Sequence, residues 1–166
     1  MKKLLLAIMM LLPMAASAQA KFGHVNTQEI MQAMPEFTAA RNEIEALAKQ
    51  YDADLQSMYQ ELQRKGEEFE KTQATLPENI KQRRQTELAE MQQKIQESYQ
   101  DNQAALQKAQ QERMQAISTK ILDAIKAVGQ EGGYVYIMDL SAGIPYISTT
   151  LSTDVTAQVK AKLGLK

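Results

Sequence analysis

The 166-residue chain contains no cysteine, no tryptophan and a single histidine. The lack of cysteine excludes disulfide bonds, thiolate chemistry and a lipid anchor on a cysteine. It also leaves no pair of cysteine or histidine side chains around which a metal site is usually built. No glycine-rich phosphate loop is present, which argues against the use of ATP. We therefore expect no cofactor and no bound metal.

Candidate catalytic groups are equally scarce. Asp139 and Asp154 are the acidic residues near the C-terminal end, and no recognisable motif ties a second catalytic group to either of them. His24 stands alone, and the sequence favours a structural or exposed role over one as a ligand or base. An exported enzyme is thus the weakest of the possible functions, and we expect no enzymatic activity and no catalytic residues.

Neither positive nor negative charge predominates in the chain. Lys and Arg total 19 and Asp and Glu total 20, which gives a formal net charge of −1. A strongly basic chain would suggest nucleic acid or anionic lipid as a partner, and this chain does not.

The first 20 residues have the three parts of a secretory signal peptide. Lys2 and Lys3 form a positive start, and the apolar run that follows is too short to span a bilayer. Small residues then allow cleavage after Ala18 or after Ala20. A buried N-terminal helix is the alternative, but the ordered pattern predicts export, and hence a periplasmic protein.

Two apolar stripes dominate the rest of the sequence. The segment Lys21–Val25 is a short strand candidate, Asn26 can cap a short helix after it, and Pro35 suits the first turn of the next helix. Apolar residues then recur every three or four positions from Phe37 to Phe69 and again from Leu88 to Val128; the second stripe includes Tyr99 and Arg113.

The two stripes are separated by a short break. Thr75 and Glu78 fit a capping box there, and Gly129 followed by Gly132 and Gly133 ends the second stripe. Two long helices with so short a connection predict an antiparallel hairpin over residues 35–128, with its tip near residues 72–79.

The stretch Gly133–Ser148 reads as two apolar strands around a small turn. We predict a β-hairpin here, with Pro145 marking the second strand as an edge, and then a short C-terminal helix capped by Ser152 or Thr153. Residues 21–34 and 129–166 together form a β-rich body of 52 residues, a size at which one core is marginal. Self-association through this body is therefore predicted, and the expected contact residues are Phe22, Val25, Tyr134, Val135, Tyr136, Ile137, Met138, Ile144 and Tyr146.

The order of these features resembles the Skp/OmpH family of periplasmic chaperones over the whole chain after the leader. The likeness is carried by the signal peptide, by FGHVNTQEIMQAMPE, by the helical hairpin and by GYVYIMDLSAGIPYIS with the closing LSTDVTAQVKAKLG. MPE at Met34–Glu36 and that closing segment resemble the Bacteroidetes-type branch. The resemblance implies an α+β fold that is mostly α, with a long antiparallel coiled-coil arm on a small β-rich trimerisation body.

The resemblance also implies a function. Members of the family form homotrimers that hold unfolded outer-membrane proteins in a cavity between the arms, without ATP. Better-known members have basic arm tips, whereas residues 61–90 here carry six basic and seven acidic side chains. The charge of the tip therefore does not favour lipid binding.

Client contacts are expected along the arm. The expected residues are apolar or amphipathic, and they are Met58, Tyr59, Leu62, Phe69, Met91 and Tyr99. Ordinary packing between the helices is the simpler interpretation of Met58 and Met91, and Tyr59 is the better surface candidate. The alternative function is an envelope structural or tethering coiled coil with one fixed partner, which predicts a continuous apolar stripe on the outside of the arm.

Overall fold

A computed structural model describes residues 20–165, and this part of the chain contains four α-helices, one 3₁₀ turn and three strands. The mostly helical α+β fold class predicted from the sequence is confirmed. Residues 1–19 of the predicted signal peptide, with the possible cleavage site at Ala18, lie outside the described residues, while Ala20 is exposed. The elements are β1 (Lys21–Val25), α1 (Thr27–Ala33), α2 (Pro35–Thr72), α3 (Glu78–Gly132), β2 (Tyr134–Asp139), the 3₁₀ turn (Leu140–Ala142), β3 (Ser152–Asp154) and α4 (Thr156–Lys162).

The described chain divides into two compact units. We call residues 20–30 with 121–165 the sheet unit, because they contain all three strands. We call residues 31–120 the hairpin unit, because they contain α2 and most of α3.

In the hairpin unit the predicted apolar stripe of α2 is confirmed. Every predicted stripe position from Phe37 to Phe69 is buried or half-buried, and Ala40 is only 8% exposed. Ile95 and Ile117 on α3 are 2% and 3% exposed. A long helix with one apolar face gains most of its stability from burying that face, so the stripes account for the pairing of the two helices.

Two predicted members of the second stripe are wrong. Tyr99 is 53% exposed, and the neighbouring Ser98 is half-buried in its place. Positions three and four after a buried residue such as Ile95 both border the interface, and the phase of the helix here turns the nearer one inward. Arg113 is also exposed, and it forms an ion pair with Glu43 of α2 at 2.9 Å.

The turn between the long helices is built differently from the predicted capping box. The Thr75 hydroxyl donates to the Thr72 carbonyl at 2.9 Å, so it satisfies the end of α2 instead of the start of α3. The Pro77 carbonyl accepts hydrogen bonds from the Ile80 and Lys81 amides at 2.9 and 3.0 Å. Pro77 therefore occupies the cap position directly before Glu78, the first residue of α3, and the predicted role of Thr75 as the cap is wrong.

The sheet corrects the predicted β-hairpin. The strand order is β2-β1-β3, and β1 runs parallel to both neighbours. After β2 the chain enters the 3₁₀ turn and a left-handed Gly143 with φ of 75°, and residues 143–151 form no strand. Pro145 has no N–H to donate to a ladder, and β1 offers both of its edges to pairing. Both short strands therefore pair with β1 and not with each other.

The end of the second long helix also differs from prediction. Gly129 lies inside α3, which continues to Gly132. A Cβ atom at Gly129 would lie 3.5 Å from the Ile137 Cδ1 atom, so this part of α3 packs directly on β2. Gly133, with φ of 65°, then reverses the chain into β2, a conformation that other residues rarely adopt.

Parallel strands end at the same edge of the sheet, and polar side chains cap the elements that begin there. Asn26 accepts a hydrogen bond from the Glu29 amide at 3.0 Å, which confirms Asn26 as the cap of α1. Asp154 accepts a hydrogen bond at 2.9 Å from the amide of Thr156, the first residue of α4, while Val155 occupies the cap position. The expected caps of α4, Ser152 and Thr153, lie instead in β3.

At this edge Asp139, the last residue of β2, binds both α1 and the 3₁₀ turn. Its carboxylate accepts hydrogen bonds from the Thr27 hydroxyl at 2.7 Å, the Ser141 hydroxyl at 2.7 Å and the Ser141 amide at 3.0 Å. Partial burial raises the pKa of the Asp139 carboxyl, but these hydrogen bonds from Ser141 and Thr27 outweigh it and hold the pKa below its ordinary value. The carboxylate therefore fastens the end of β2 to the start of α1.

We predict that Asp139→Ala lowers the free energy of unfolding at neutral pH by about 1 kcal/mol, the usual effect of losing a capping side chain. Because the folded-state pKa is lowered, this stabilisation is present above the unfolded-state pKa of about 3.9 and is lost as pH falls through the folded-state value. The difference between wild type and variant in urea unfolding should therefore shrink on acidification.

Asp101→Ala, which removes an exposed carboxylate from α3, is the matched control and should have little effect. An Asp139→Ala effect no larger than that of the control, or one equally large in acid, would contradict the capping role.

Candidate functional site

One face of the sheet carries exposed side chains within the sheet unit. Side chains alternate between the two faces of a strand, and paired residues on neighbouring strands point to the same face. The strand register therefore places one set of residues together, which we call the open face: Phe22 and His24 of β1, Tyr136 and Met138 of β2, and Ser152 and Asp154 of β3.

The opposite face is closed by packing within the sheet unit. Val25 is 1% exposed, and a Cβ atom at Gly23 would lie 3.1 Å from the Ile137 side chain and 3.2 Å from the Tyr134 ring. Ile137 also lies against Gly129 of α3. Val25 and Ile137, both predicted to make contacts between subunits, therefore serve the unit's own core. Neither residue belongs to the open face.

The open face carries unusually apolar, exposed side chains for a small sheet. Tyr136 is 48% and Met138 is 44% exposed, and the rings of Phe22 and Tyr136 stack with their centroids 4.7 Å apart. Val135, at an irregularity in the pairing of β1 with β2, is 64% exposed. Large apolar side chains gathered in this way on a protein surface typically mark a protein contact surface.

The other predicted contact residues in the sheet unit have different positions. Tyr134 is half-buried and lies against Gly132 and Gly23 of its own unit. Ile144 is half-buried and Tyr146 is highly exposed, and both lie in the segment between the 3₁₀ turn and β3. The structure thus does not gather all the predicted residues on one surface.

The polar part of the open face centres on His24. Its Nδ1 atom lies 2.8 Å from the Ser152 hydroxyl oxygen, and Asp154 is its partner in the register of β3. Partial burial raises the pKa of the Asp154 carboxyl, but the hydrogen bonds from Thr156, together with the electrostatic effect of the nearby His24, more than offset this and leave the pKa lowered. Among residues 20–165, no three His, Asp or Glu side chains are grouped so as to hold a metal ion.

In the hairpin unit, four of the six predicted client-binding residues lie between the helices. Met58, Leu62, Phe69 and Met91 are all half-buried. Met58 and Met91 line one shallow groove with Ile95, so packing between the helices accounts for both methionines.

Tyr59 and Tyr99 are placed differently from these four. They are 57% and 53% exposed, and within residues 31–120 they are the exposed large apolar side chains. A tyrosine offers an apolar ring and a polar hydroxyl, which suits contact with varied partners. The surface of the hairpin unit therefore has isolated aromatic positions on a polar background and not a continuous apolar stripe.

The charges near the tip neutralise one another. Glu87 pairs with Lys65 and, at 3.2 Å, with Arg84, while Glu61 pairs with Arg64 at 2.7 Å. The hydrogen bond from Lys65 lowers the pKa of Glu87, and the hydrogen bond from Arg64 lowers the pKa of Glu61. These acidic partners leave no concentrated positive field at the tip, in keeping with the balanced count of residues 61–90.

Sequence reasoning missed the polar network at the strand ends. No partner of Asp139 is predicted from the sequence, although an aspartate followed two positions later by a serine, here Ser141, has the pattern of a local side-chain turn. The Thr27 hydroxyl and the Thr156 hydroxyl, which accepts from the Asn26 amide at 3.0 Å, belong to the same edge. Those two contacts join residues more than a hundred positions apart, so no local pattern indicates them.

Comparison with known proteins gives a consistent result. Residues 21–163 match the model of the family described as Outer membrane protein (OmpH-like). The chain is 31% identical to the Chaperone protein Skp of Yersinia enterocolitica and to that of Pectobacterium atrosepticum, in each case over 96% of this chain and 100% of the relative. A putative outer membrane chaperone (OmpH-like) from Caulobacter crescentus has a similar fold, with a TM-score of 0.74 and 15% identity, over 88% of this chain and 85% of that one.

Substitution of a half-buried residue between the helices should affect stability more than substitution of an exposed one. We predict that Met58→Ala lowers the free energy of unfolding by about 1 to 2 kcal/mol, less than a fully buried methionine would, because it removes half-buried packing between the helices. Tyr59→Ser should change it by less than about 0.5 kcal/mol, because the side chain is mostly in water. Urea unfolding followed by circular dichroism measures both, and equal effects would contradict this division.

Proposed function

The chain belongs to the OmpH-like outer membrane protein family, and from that membership we propose that it is a periplasmic, ATP-independent holdase chaperone. Its clients are unfolded outer-membrane β-barrel precursors, which it binds between helical arms and keeps from aggregating. The observation that carries this proposal is the 31% identity to Chaperone protein Skp over essentially the full length of both chains. The secretory pattern of residues 1–20 supports the periplasmic location.

The chemistry of the client explains what the arm must provide. An unfolded β-barrel strand alternates apolar and polar side chains and has unpaired backbone groups, so it aggregates readily in water. Tyr59 and Tyr99 offer amphipathic contacts on a surface otherwise rich in charged and amide side chains. Single contacts of this kind are weak and tolerant of sequence, which suits clients of many sequences.

Self-association turns weak contacts into effective capture. We include in the proposal a homotrimer, as the family resemblance implies, with the open face of the sheet as the contact surface. Tyr136 and Met138 supply exposed apolar area, and β2 and β3 are both edge strands with unpaired backbone groups. Several arms around one client raise its effective concentration at each contact. Release then follows mass action as the client folds elsewhere, without ATP.

Neither lipid nor nucleic acid is included among the proposed partners. The arm tip has six basic and seven acidic residues between positions 61 and 90, and several of these are paired with one another. Within residues 20–165, no helix has both the length and the apolar character needed to cross a membrane.

We predict that the protein suppresses light scattering when a denatured outer-membrane protein is diluted into buffer. The double variant Tyr59→Ser/Tyr99→Ser should need roughly tenfold more chaperone for half-maximal suppression. Each lost aromatic contact is worth about 0.5 to 1 kcal/mol, and about 1.4 kcal/mol corresponds to a factor of ten.

Gln60→Ser/Gln100→Ser, at the exposed neighbouring positions, is the matched control and should behave as wild type. No suppression by the wild-type protein at stoichiometric amounts would contradict the holdase function. Recovery of one stoichiometric partner in pull-downs, in place of many precursors, would favour the tethering coiled coil.

We also predict that Met138→Lys prevents self-association at micromolar concentration, because it places a charge in the proposed contact surface where water is excluded. Gln158→Lys, at an exposed position of α4, should assemble normally. Sedimentation velocity measures the mass, and circular dichroism checks that helicity is retained. A charge at Ile137 would be a poorer test, since that side chain packs inside the sheet unit. A monomeric wild-type protein, or an assembled Met138→Lys variant, would contradict the surface.

A further inference from the structure

We propose that acidification weakens self-association, because His24 gains a positive charge on the open face of the sheet. This inference rests on the proposed function, since it concerns the regulation of the assembly through that face. His24 is the only histidine in the chain, and histidine is the side chain whose charge ordinarily changes between about pH 5 and pH 8.

His24 occupies a central position on the open face. It lies on β1, the middle strand, with Met138 beside it on β2 and Asp154 beside it on β3. The imidazole is half-buried, and its Nδ1 atom is 2.8 Å from the Ser152 hydroxyl. A neutral ring can accept a hydrogen bond from that hydroxyl through Nδ1, which satisfies the ring without a charge.

The two carboxylates of the sheet do not account for a change of charge in this pH range. Asp154 faces the same side, but hydrogen bonds from Thr156 lower its pKa despite the effect of burial, so it stays ionised over the range in which a histidine titrates. Asp139 is paired with Val25 on the closed side and is bound by Thr27 and Ser141. These carboxylates therefore keep a fixed charge over that range.

Lys21 and the phenols of Tyr134 and Tyr136 complete the set of ionisable groups on the strands, and the Tyr134 ring lies against Gly23 on the closed side. Lys21, at the start of β1, donates to the Gly132 carbonyl at 3.1 Å. The Tyr136 ring stacks on Phe22, which gives the surroundings of His24 an apolar side as well as the carboxylate of Asp154. The helix that packs on the sheet through Gly129, α3, lies on the closed side with Ile137.

The direction of the effect follows from what assembly does to this face. In the single chain, a charged His24 has water and the Asp154 carboxylate near it. In the assembly, copies of Tyr136 and Met138 replace the water, and the removal of a cation from water disfavours its charged form. Copies of one face that meet also bring copies of His24 toward one another, and like charges repel.

The assembled state therefore binds fewer protons than the separate chains. By linkage, the association constant falls as pH falls through the pKa of histidine, by at most about tenfold per pH unit for each chain in the assembly. The effect stops well above and well below that pKa, where both states have the same charge.

Sedimentation velocity of the wild-type protein and of His24→Asn, at about pH 8 and about pH 5.5, tests this inference. Asparagine has no charge at either pH, and its side chain can still reach a hydroxyl partner. We expect the wild type to dissociate at the lower pH, with a midpoint concentration roughly tenfold higher. His24→Asn should assemble equally at both values, with unchanged helicity by circular dichroism.

Each remaining result counts against the inference in a distinct way. Equal assembly of the wild type at both pH values, or the same pH dependence in His24→Asn, would overturn the role of His24. If His24→Asn does not fold, His24→Gln provides the same comparison. Loss of wild-type helicity over the same interval would assign the effect to unfolding and overturn the inference. A wild type that is monomeric at both values would contradict the self-association itself.

Discussion

The parallel pairing of β1 with both β2 and β3 is the constraint on which the other features depend. β1 lies at the start of the described chain, and its partners follow more than a hundred residues later. The chain can return to β1 after so many residues because α2 and α3 are antiparallel and pair with each other along their apolar stripes. The pairing also brings Asn26, Asp139 and Asp154 to one edge, where their side chains bind the elements that begin there.

The sheet packs against α3 on the side of Ile137, and the side chains of the other face reach the solvent. Here that side carries Phe22, Tyr136 and Met138, which a single chain does not cover. The hairpin unit has the opposite character, because its apolar residues face each other and its surface is polar apart from Tyr59 and Tyr99. The proposed function assigns assembly to the apolar surface of the sheet unit and loose client contacts to the polar surface of the hairpin unit. The two surfaces are separate in the sequence, so each can change without the other.

Predictions from the sequence were accurate where the signal was periodic or local. The stripe of α2, the cap at Asn26, the helix start at Pro35 and the short C-terminal helix were all confirmed. The predictions were wrong where two local hydrogen-bonding or packing arrangements compete. Thr75 can bind forward or backward along the chain, and it binds backward to Thr72. Tyr99 and Ser98 can each follow Ile95 on the inner face, and the smaller residue takes that place.

The sequence by itself determined the mostly helical α+β class, the antiparallel pairing of the long helices and the exposed character of Tyr59, because each depends on the spacing of residues along one helix. Only the tertiary structure decided which strands pair and which faces are covered. GYVYIMDLSAGIPYIS has the composition of a β-hairpin, but β1 supplies hydrogen-bonding edges on both sides and competes successfully for β2 and β3. That competition involves residues distant in the sequence, and it alone sets His24 beside Ser152 and Asp154 and turns Ile137 inward.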